Sequence, residues 1–491
     1  MRIDEAGLIT LSSIPRVTAF FSSLRSPPAT CLQDQVIAYY TRQFVEAPKI
    51  LLATHDSQIN YCAALFTTPQ FSASLRQQFC RSPWPVQSSE QASQDRSTSS
   101  TLQLAILAIA HATFGRSTKN SAALLIGSKT YSQALVATRS IESVVMDEVI
   151  LTILLLGHFE NSVAQNAQFD ARDIKVISAK AFTHHDGAIV MLNSRQKCQK
   201  EPYRSRHKVV PAHGSDSGTS HKNTGSEIDK IARRQLGRSL VLRSIPIPGW
   251  LKNGSLFGEI GSSLVLDKCL VEVADLRYCV NNVSNDLDGI SATESRQMAM
   301  KMRGVLVLAQ ELETKLAKWA REVPMVDHWS RFRLTVDDDD DSGTSDIFDQ
   351  TVHLYPSIGH AAMWAQYRAI RLHGNDIILT AFYSEVEFSN SETKFNQDII
   401  KLNMEKLALD FCASLPFALG WVELGGTGMK MICRGRRIAA VASTASLFCW
   451  PLTVSTIVSE IPEQHRSYLK SRLLDISEIV DDGVLERIAH L

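Results

Sequence analysis

Three adjacent polar residues, His184, His185 and Asp186, have side chains that could bind a metal or transfer protons. Imidazoles and carboxylates are zinc ligands, and they also serve as general acids and bases. Zinc needs a third and fourth ligand at defined spacing, but the sequence has neither a His-Glu-x-x-His motif nor paired cysteines. We therefore interpret the group as a helix start, with Asp186 in the first turn, where the helix dipole favours an acid.

Two further segments invite a catalytic interpretation. Gly-Gly-Thr-Gly at 425–428, with Lys430 close behind, could hold a phosphate on backbone N–H groups, but it lacks the Walker spacing, so a loop between helices is predicted. The serines of Gly-Ser-Asp-Ser-Gly at 214–218 are misplaced for a nucleophile elbow. These patterns predict no enzyme, no metal and no cofactor.

Clustered basic residues are candidates for contact with phosphate or for a nuclear-import signal. The competing interpretation is a solvated linker whose charge keeps it soluble. The candidate residues are Arg204, Arg206, Lys208, Arg233, Arg234 and Arg238.

Trp319, Trp364 and Tyr367 are aromatic residues on predicted helices. Such residues can line a small-molecule pocket, but they more often belong to a core. The core is the preferred interpretation, and a pocket is the alternative.

The composition excludes several classes of protein. The 51 Lys and Arg residues balance 51 Asp and Glu residues, so no global basic field would hold a nucleic acid. The acidic start of the chain does not resemble a secretory signal. The most apolar run, 149–159, is too short to cross a bilayer. The nine cysteines are scattered, so we expect reduced, mostly buried thiols.

Apolar residues recur at three- and four-residue intervals through most of the chain, whereas alternating strand patterns are scarce. The sequence therefore predicts an all-α fold, a large bundle of antiparallel helix pairs interrupted by disordered loops. Helices are expected at 34–47, 101–115, 121–140, 144–160, 228–242, 300–321, 361–372, 402–413, 438–459 and 476–491.

Composition also divides the chain. Residues 1–33 are predicted to be a tail, and 34–193 the first half of the helical domain. A basic stretch at 194–227 is predicted to be a disordered linker or insertion, because it has few bulky apolar residues. Residues 228–491 form the second half, with an acidic loop at 337–346 whose aspartates repel one another.

Several short motifs occur in one order along the chain. They are His-His-Asp-Gly-Ala at 184–188, Ile-Pro-Ile-Pro-Gly-Trp at 245–250, Ala-Lys-Trp at 317–319, Trp-Ala-Gln-Tyr-Arg at 364–368, Ser-Leu-Pro-Phe at 414–417, Trp-Pro-Leu at 450–452 and Ile-Pro-Glu-Gln-His-Arg at 461–466. This order resembles the regulatory domain of the fungal zinc-cluster transcription factors. The resemblance covers most of residues 30–491.

The DNA-reading module of that family does not appear in this sequence. It has six cysteines that begin with Cys-x2-Cys-x6-Cys spacing, because two zinc ions share closely spaced thiolates. Here Cys31, Cys62 and Cys80 are too far apart. An upstream exon could encode the cluster, and the stretch near 194–227 could be a retained intron.

The resemblance implies a nuclear regulator of a fungal metabolite gene set, and the cysteines make direct sequence-specific DNA binding doubtful. We therefore expect action through another transcription factor or coregulator, a possible small-molecule effector and no membrane. The alternative is a cytoplasmic ligand-sensing or protein-interaction module of a biosynthetic pathway. An unrecognised enzyme ranks third. Target genes, effector, direction of regulation and oligomeric state stay open.

Overall fold

The computed structural model describes residues 2–3, 9–11, 32–46, 97–139, 147–164, 182–200, 227–259, 262–284, 292–334, 347–389, 397–425, 428–431, 440 and 442–491. Helices dominate these ranges, and the predicted all-α class is confirmed.

The first half of the described chain contains five α-helices. They are α1 (Leu32–Tyr40), extended by a π-helical turn (Thr41–Glu46), α2 (Ser97–Ser117), α3 (Ser121–Arg139), α4 (Asp147–Val163) and α5 (Thr183–Lys200). A three-residue turn joins α2 to α3, which pack together as a hairpin. Gly127 permits their close approach, because a Cβ there would lie 3.2 Å from the carbonyl oxygen of Ala108.

The second half contributes nine more α-helices. They are α6 (Glu227–Leu242), α7 (Gly249–Lys252), α8 (Ser262–Ser284), α9 (Ala292–Glu322), α10 (Ile358–Ser389), α11 (Gln397–Ala418), α12 (Ala442–Ile457), α13 (Glu463–Ile479) and α14 (Gly483–His490). Three 3-10 turns lie at Gly254–Phe257, Met325–Asp327 and Phe348–Gln350. Helix α10 packs against α8, α9, α11 and α12, which explains why it is apolar on several sides.

Short strands form two small sheets. The strands β1 (Arg2–Ile3), β2 (Ile9–Leu11), β3 (Ser330–Leu334) and β4 (Thr351–Leu354) follow one another across the first sheet. Strands β2 and β3 are parallel, and the other neighbours are antiparallel. The strands β5 (Val422–Gly425) and β6 (Gly428–Met431) pair as an antiparallel hairpin. The glycine segment at 425–428 therefore joins strands, not helices.

Three predicted boundaries need correction. Helix α5 continues through Lys200, so 194–200 is helical; Arg195 is buried there and pairs with Asp147 on α4 (N···O 2.5 Å). Residues 201–226 and the acidic loop at 337–346 lie outside the described residues. The expected final helix at 476–491 is divided, since Asp481 has a φ of 54° and the Asp482 carboxylate caps α14. Strands β1 and β2 occupy part of the predicted tail.

One apolar core runs through both halves of the described chain. It contains Phe44, Ile150, Leu236, Leu312 and Phe448. Cys269 and Cys412 are buried free thiols, as expected, whereas Cys279 is exposed. Within the described ranges, every helix is too short or too polar to cross a bilayer.

Candidate functional site

A cavity of about 220 Å³ lies where helices of the first half meet those at the end of the chain. We call it the apolar cavity. Helix α4 supplies Leu151, Leu154 and Leu155 to its wall, and Leu485 and Ile488 of α14 also line it. An apolar cavity of roughly 150 Å³ binds benzene in another protein. The volume is therefore sufficient for a small organic molecule.

Among the polar side chains that line this cavity, four come from four different helices. Asn161 lies on α4, His185 on α5, Gln235 on α6 and Trp450 on α12. Each has a buried atom without a hydrogen-bond partner in the described protein: Asn161 Oδ1, His185 Nδ1, Gln235 Oε1 and Trp450 Nε1. An unsatisfied buried polar group costs about 1–3 kcal/mol, which a ligand with matching groups would recover. The lining thus combines apolar surface with a few polar groups, as small-molecule sites do.

His185 is the most constrained of these four residues. Its side chain is buried and stacks on Phe182, with ring centroids 4.9 Å apart. Burial, and to a smaller extent the nearby Arg243 and His184 side chains, lower its pKa to about 3. The imidazole is therefore neutral at physiological pH. A neutral imidazole has one donor and one acceptor nitrogen, and Nε2 lies 3.4 Å from Gln235 Nε2.

His184 and Asp186 do not join His185 in one site. His184 Nε2 lies 3.1 Å from Glu160 Oε1, and Arg243 Nη1 donates to Asp186 Oδ1 over 2.8 Å. Within the described ranges, no three His, Cys, Asp or Glu side chains are grouped so that they could hold a metal. The interpretation of 184–186 as a helix start agrees with the observed start of α5 at Thr183.

The candidate basic residues on α6 form internal ion pairs. Arg233 donates to Glu259 over 3.0 Å and to Asp267 over 2.6 Å, and Arg234 donates to Glu259 over 3.1 Å. Both arginines are buried, which contradicts an exposed phosphate-contact or import patch at these positions. Arg238 is half-buried, and its Nη2 donates to Gln366 Oε1 over 2.9 Å. Arg204, Arg206 and Lys208 lie outside the described residues.

A second cavity, of about 510 Å³, has Trp364 and Tyr367 in its wall. Trp319 lies behind them, and its ring stacks on Tyr367 with centroids 5.3 Å apart. All three side chains are buried, as the core interpretation predicts. Trp364 and Tyr367 also line this cavity, as the pocket interpretation predicts.

The fold and these two cavities define an α-helical protein with internal space for small molecules. The chain matches no protein-family model, no curated protein sequence and no solved structure.

Sequence reasoning singled out His185, but for another kind of chemistry. It found Trp450 only as part of the Trp-Pro-Leu motif, and it missed Asn161 and Gln235. No local pattern marks those two residues, because their importance depends on which helices meet.

Proposed function

We propose that this chain is an effector-responsive transcriptional regulator that catalyses no reaction and acts through a partner protein. One observation carries the proposal: the apolar cavity has four unpaired polar atoms on helices from both halves of the chain. The nuclear and transcriptional part of the proposal rests on the order of motifs that resembles the fungal regulatory domain.

A ligand in this cavity would contact α4, α5 and α6 on one side and α12 and α14 on the other. A ligand changes a protein's conformational equilibrium only when it binds one arrangement more tightly than another. The effector would therefore favour one relative placement of these helices, and the partner would recognise that placement. Promoter recognition is assigned to the partner, because no zinc-cluster spacing occurs in these 491 residues.

His185→Phe is the sharpest test of the cavity. Phenylalanine keeps a planar ring against Phe182 but removes both ring nitrogens, including the unpaired Nδ1. His184→Phe is the matched control, since His184 is adjacent but does not line the cavity. The variants would be compared in a deletion strain by transcript sequencing. We expect His185→Phe to reproduce the transcript changes of the deletion and His184→Phe to restore the normal pattern.

Two outcomes would contradict the proposal. Unchanged transcripts in the deletion strain, together with no promoter enrichment of the tagged protein in chromatin immunoprecipitation, would exclude a role in transcription. Exclusion from the nucleus under all conditions would favour the alternative, a cytoplasmic ligand-sensing module that uses the same cavity. Native mass spectrometry of the protein purified from its own organism would test for the effector. We expect an added small-molecule mass that is lost in His185→Phe.

A further inference from the structure

The second cavity lies between the end of α9, strand β3 and helices α10 and α11. We call it the cationic cleft. Its wall contains the rings of Trp329, Trp364 and Tyr367. Its charged lining consists of five cationic side chains and one carboxylate, which belong to Arg321, Arg331, Arg368, Arg371, Lys406 and Asp410. The lining thus has an excess of positive charge beside aromatic surface.

Part of this charge is neutralised inside the protein. Arg331 Nη2 donates to Asp410 Oδ1 over 2.6 Å, and Arg371 Nε donates to Glu313 Oε1 over 2.7 Å. Arg321, Arg368 and Lys406 have no carboxylate partner among the described residues. Arg321 and Lys406 are exposed, so water can solvate their charges. Arg368, by contrast, is buried.

The Arg368 side chain is one of the largest fully buried groups of the described chain, and only 1% of the residue is exposed. Its Nη1 donates to the Tyr355 hydroxyl over 2.8 Å, and its Cζ lies 4.6 Å from the centroid of the Trp329 ring. Nη2 has no hydrogen-bond partner. Arginine does not lose its proton in proteins, so the positive charge persists at this buried position in the cleft wall. A buried charge is costly unless it is paired with an opposite charge.

We propose that the cationic cleft binds a small aromatic molecule that carries an anionic group, a carboxylate or a phosphate. The anion pairs with Arg368, whose planar guanidinium matches both groups. The aromatic part of the ligand packs against the wall formed by Trp329, Trp364 and Tyr367. Lys406 and Arg321 attract the anion toward the cleft. This site is separate from the apolar cavity, and no residue lines both.

Isothermal titration calorimetry on the full chain tests the proposal with four probes. They are 2-naphthoate, 2-naphthyl phosphate, the neutral 2-naphthol and inorganic phosphate. We expect at least one of the two aromatic anions to bind, and 2-naphthol and inorganic phosphate to bind at least tenfold more weakly. A preference between 2-naphthoate and 2-naphthyl phosphate identifies the anionic group. Equal binding of 2-naphthol, or no binding of either aromatic anion, would overturn the proposal.

Three variants locate the site. Arg368→Met should weaken binding of the aromatic anion by about 10- to 100-fold, the range for a hydrogen bond to a charged group. Lys406→Glu reverses an exposed charge at the cleft and should weaken binding by about tenfold. Lys301→Glu makes the same reversal on exposed α9 surface outside the cleft and should leave binding unchanged.

Folding is checked by circular dichroism. If Arg368→Met does not fold, Lys406→Glu decides the question, and an unchanged affinity in that variant would overturn the proposal. His185 lines the apolar cavity and not the cationic cleft, so His185→Phe should bind the aromatic anions as the wild type does. If the aromatic anions do not bind the wild type, the cleft proposal fails, but the effector proposal for the apolar cavity is not affected.

Discussion

The Tyr39 hydroxyl donates a hydrogen bond to Asp481 Oδ2 over 2.8 Å, across 442 positions of the sequence. It joins α1 to the turn between α13 and α14. Burial raises the pKa of Asp481 to about 7, although the Tyr39 hydrogen bond and the Arg116 charge both act to lower it. The effect of burial on the pKa is therefore larger than that of the two contacts, which favour the ionised carboxylate.

Asp481→Asn should remove a pH-dependent loss of stability. The unfolded carboxyl ionises near pH 3.8, whereas the folded one keeps its proton to about pH 7. The free energy of unfolding therefore falls as pH rises through this window, by up to about 4 kcal/mol. Asparagine keeps an acceptor for Tyr39 and tolerates the φ of 54°. Urea unfolding at pH 5 and pH 8 measures the effect, and equal pH dependence in variant and wild type would contradict it.

Tyr39→Phe is the companion variant. It removes the hydrogen bond that lowers the pKa of Asp481, so the loss of stability should extend to higher pH than in the wild type.

His185→Phe should remove an acid-induced loss of stability. The folded pKa of His185 is about 3, against 6.5 for the free side chain, so folding excludes the charged form. The wild type therefore loses stability relative to the variant as pH falls below 6.5. The difference should grow by about 2 kcal/mol between pH 6.5 and pH 5. Phe182→Leu, in the same wall, adds no titrating group and serves as the control. A constant difference between His185→Phe and wild type would disprove the expectation.

Arg233→Met should destabilise the protein by about 3–5 kcal/mol, because it removes the Arg233 cation from the buried Asp267 and Glu259 carboxylates, and of these two Glu259 keeps its pair with Arg234. Lys318→Met is the control, since the ion pair of Lys318 with Glu322 is largely exposed. It should change stability by no more than about 0.5 kcal/mol. Denaturant unfolding midpoints compare the two variants, and similar losses in both would refute the internal role of Arg233.

Gly127→Ala and Gly304→Ala should have opposite effects. A Cβ at Gly127 would lie 3.2 Å from the His111 Cβ and 3.3 Å from the Ala112 nitrogen, so α2 and α3 would have to separate. We expect a loss of about 1–3 kcal/mol. At Gly304 a Cβ meets nothing within 4 Å, and alanine should stabilise α9 by about 0.5–1 kcal/mol. Thermal unfolding distinguishes the two, and stabilisation by both would contradict the close approach at Gly127.

The recurrence of apolar residues at three- and four-residue intervals was sufficient to predict most helices, because in a helix of several turns this spacing repeats several times. Single positions were less predictable. The spacing of Leu308, Leu312, Leu316 and Trp319 predicts one apolar face of α9, and the last three are buried, but Leu308 is 54% exposed. Four-residue steps drift by about 40° around the helix, so Leu308 lies outside the buried stripe. The four-residue spacing of Glu311 and Lys315 predicts an ion pair, but the Lys315 Nζ lies 2.8 Å from Glu272 on α8.

Neither the short strands nor the proline inside a helix could be predicted from the local sequence. The alternation in Ser330–Leu334 spans only five residues, too few to distinguish from chance. Pro451 lies inside α12, although proline in a helix interior removes a backbone hydrogen bond and predicts an interruption there. The burial of Arg195 and Arg233 was not predictable, because their acidic partners come from distant segments. The apolar cavity is lined by residues of α4, α5, α6, α12 and α14, and only the tertiary structure brings these helices together.

Arg195 on α5 also lies 3.5 Å from Asp229 on α6, so an ion pair links the helix that ends at Lys200 to the helix that begins at Glu227. Cleavage within 201–226 would separate two polypeptides that share the apolar core and these ion pairs. Co-expressed as separate fragments, they should reassemble without a covalent link.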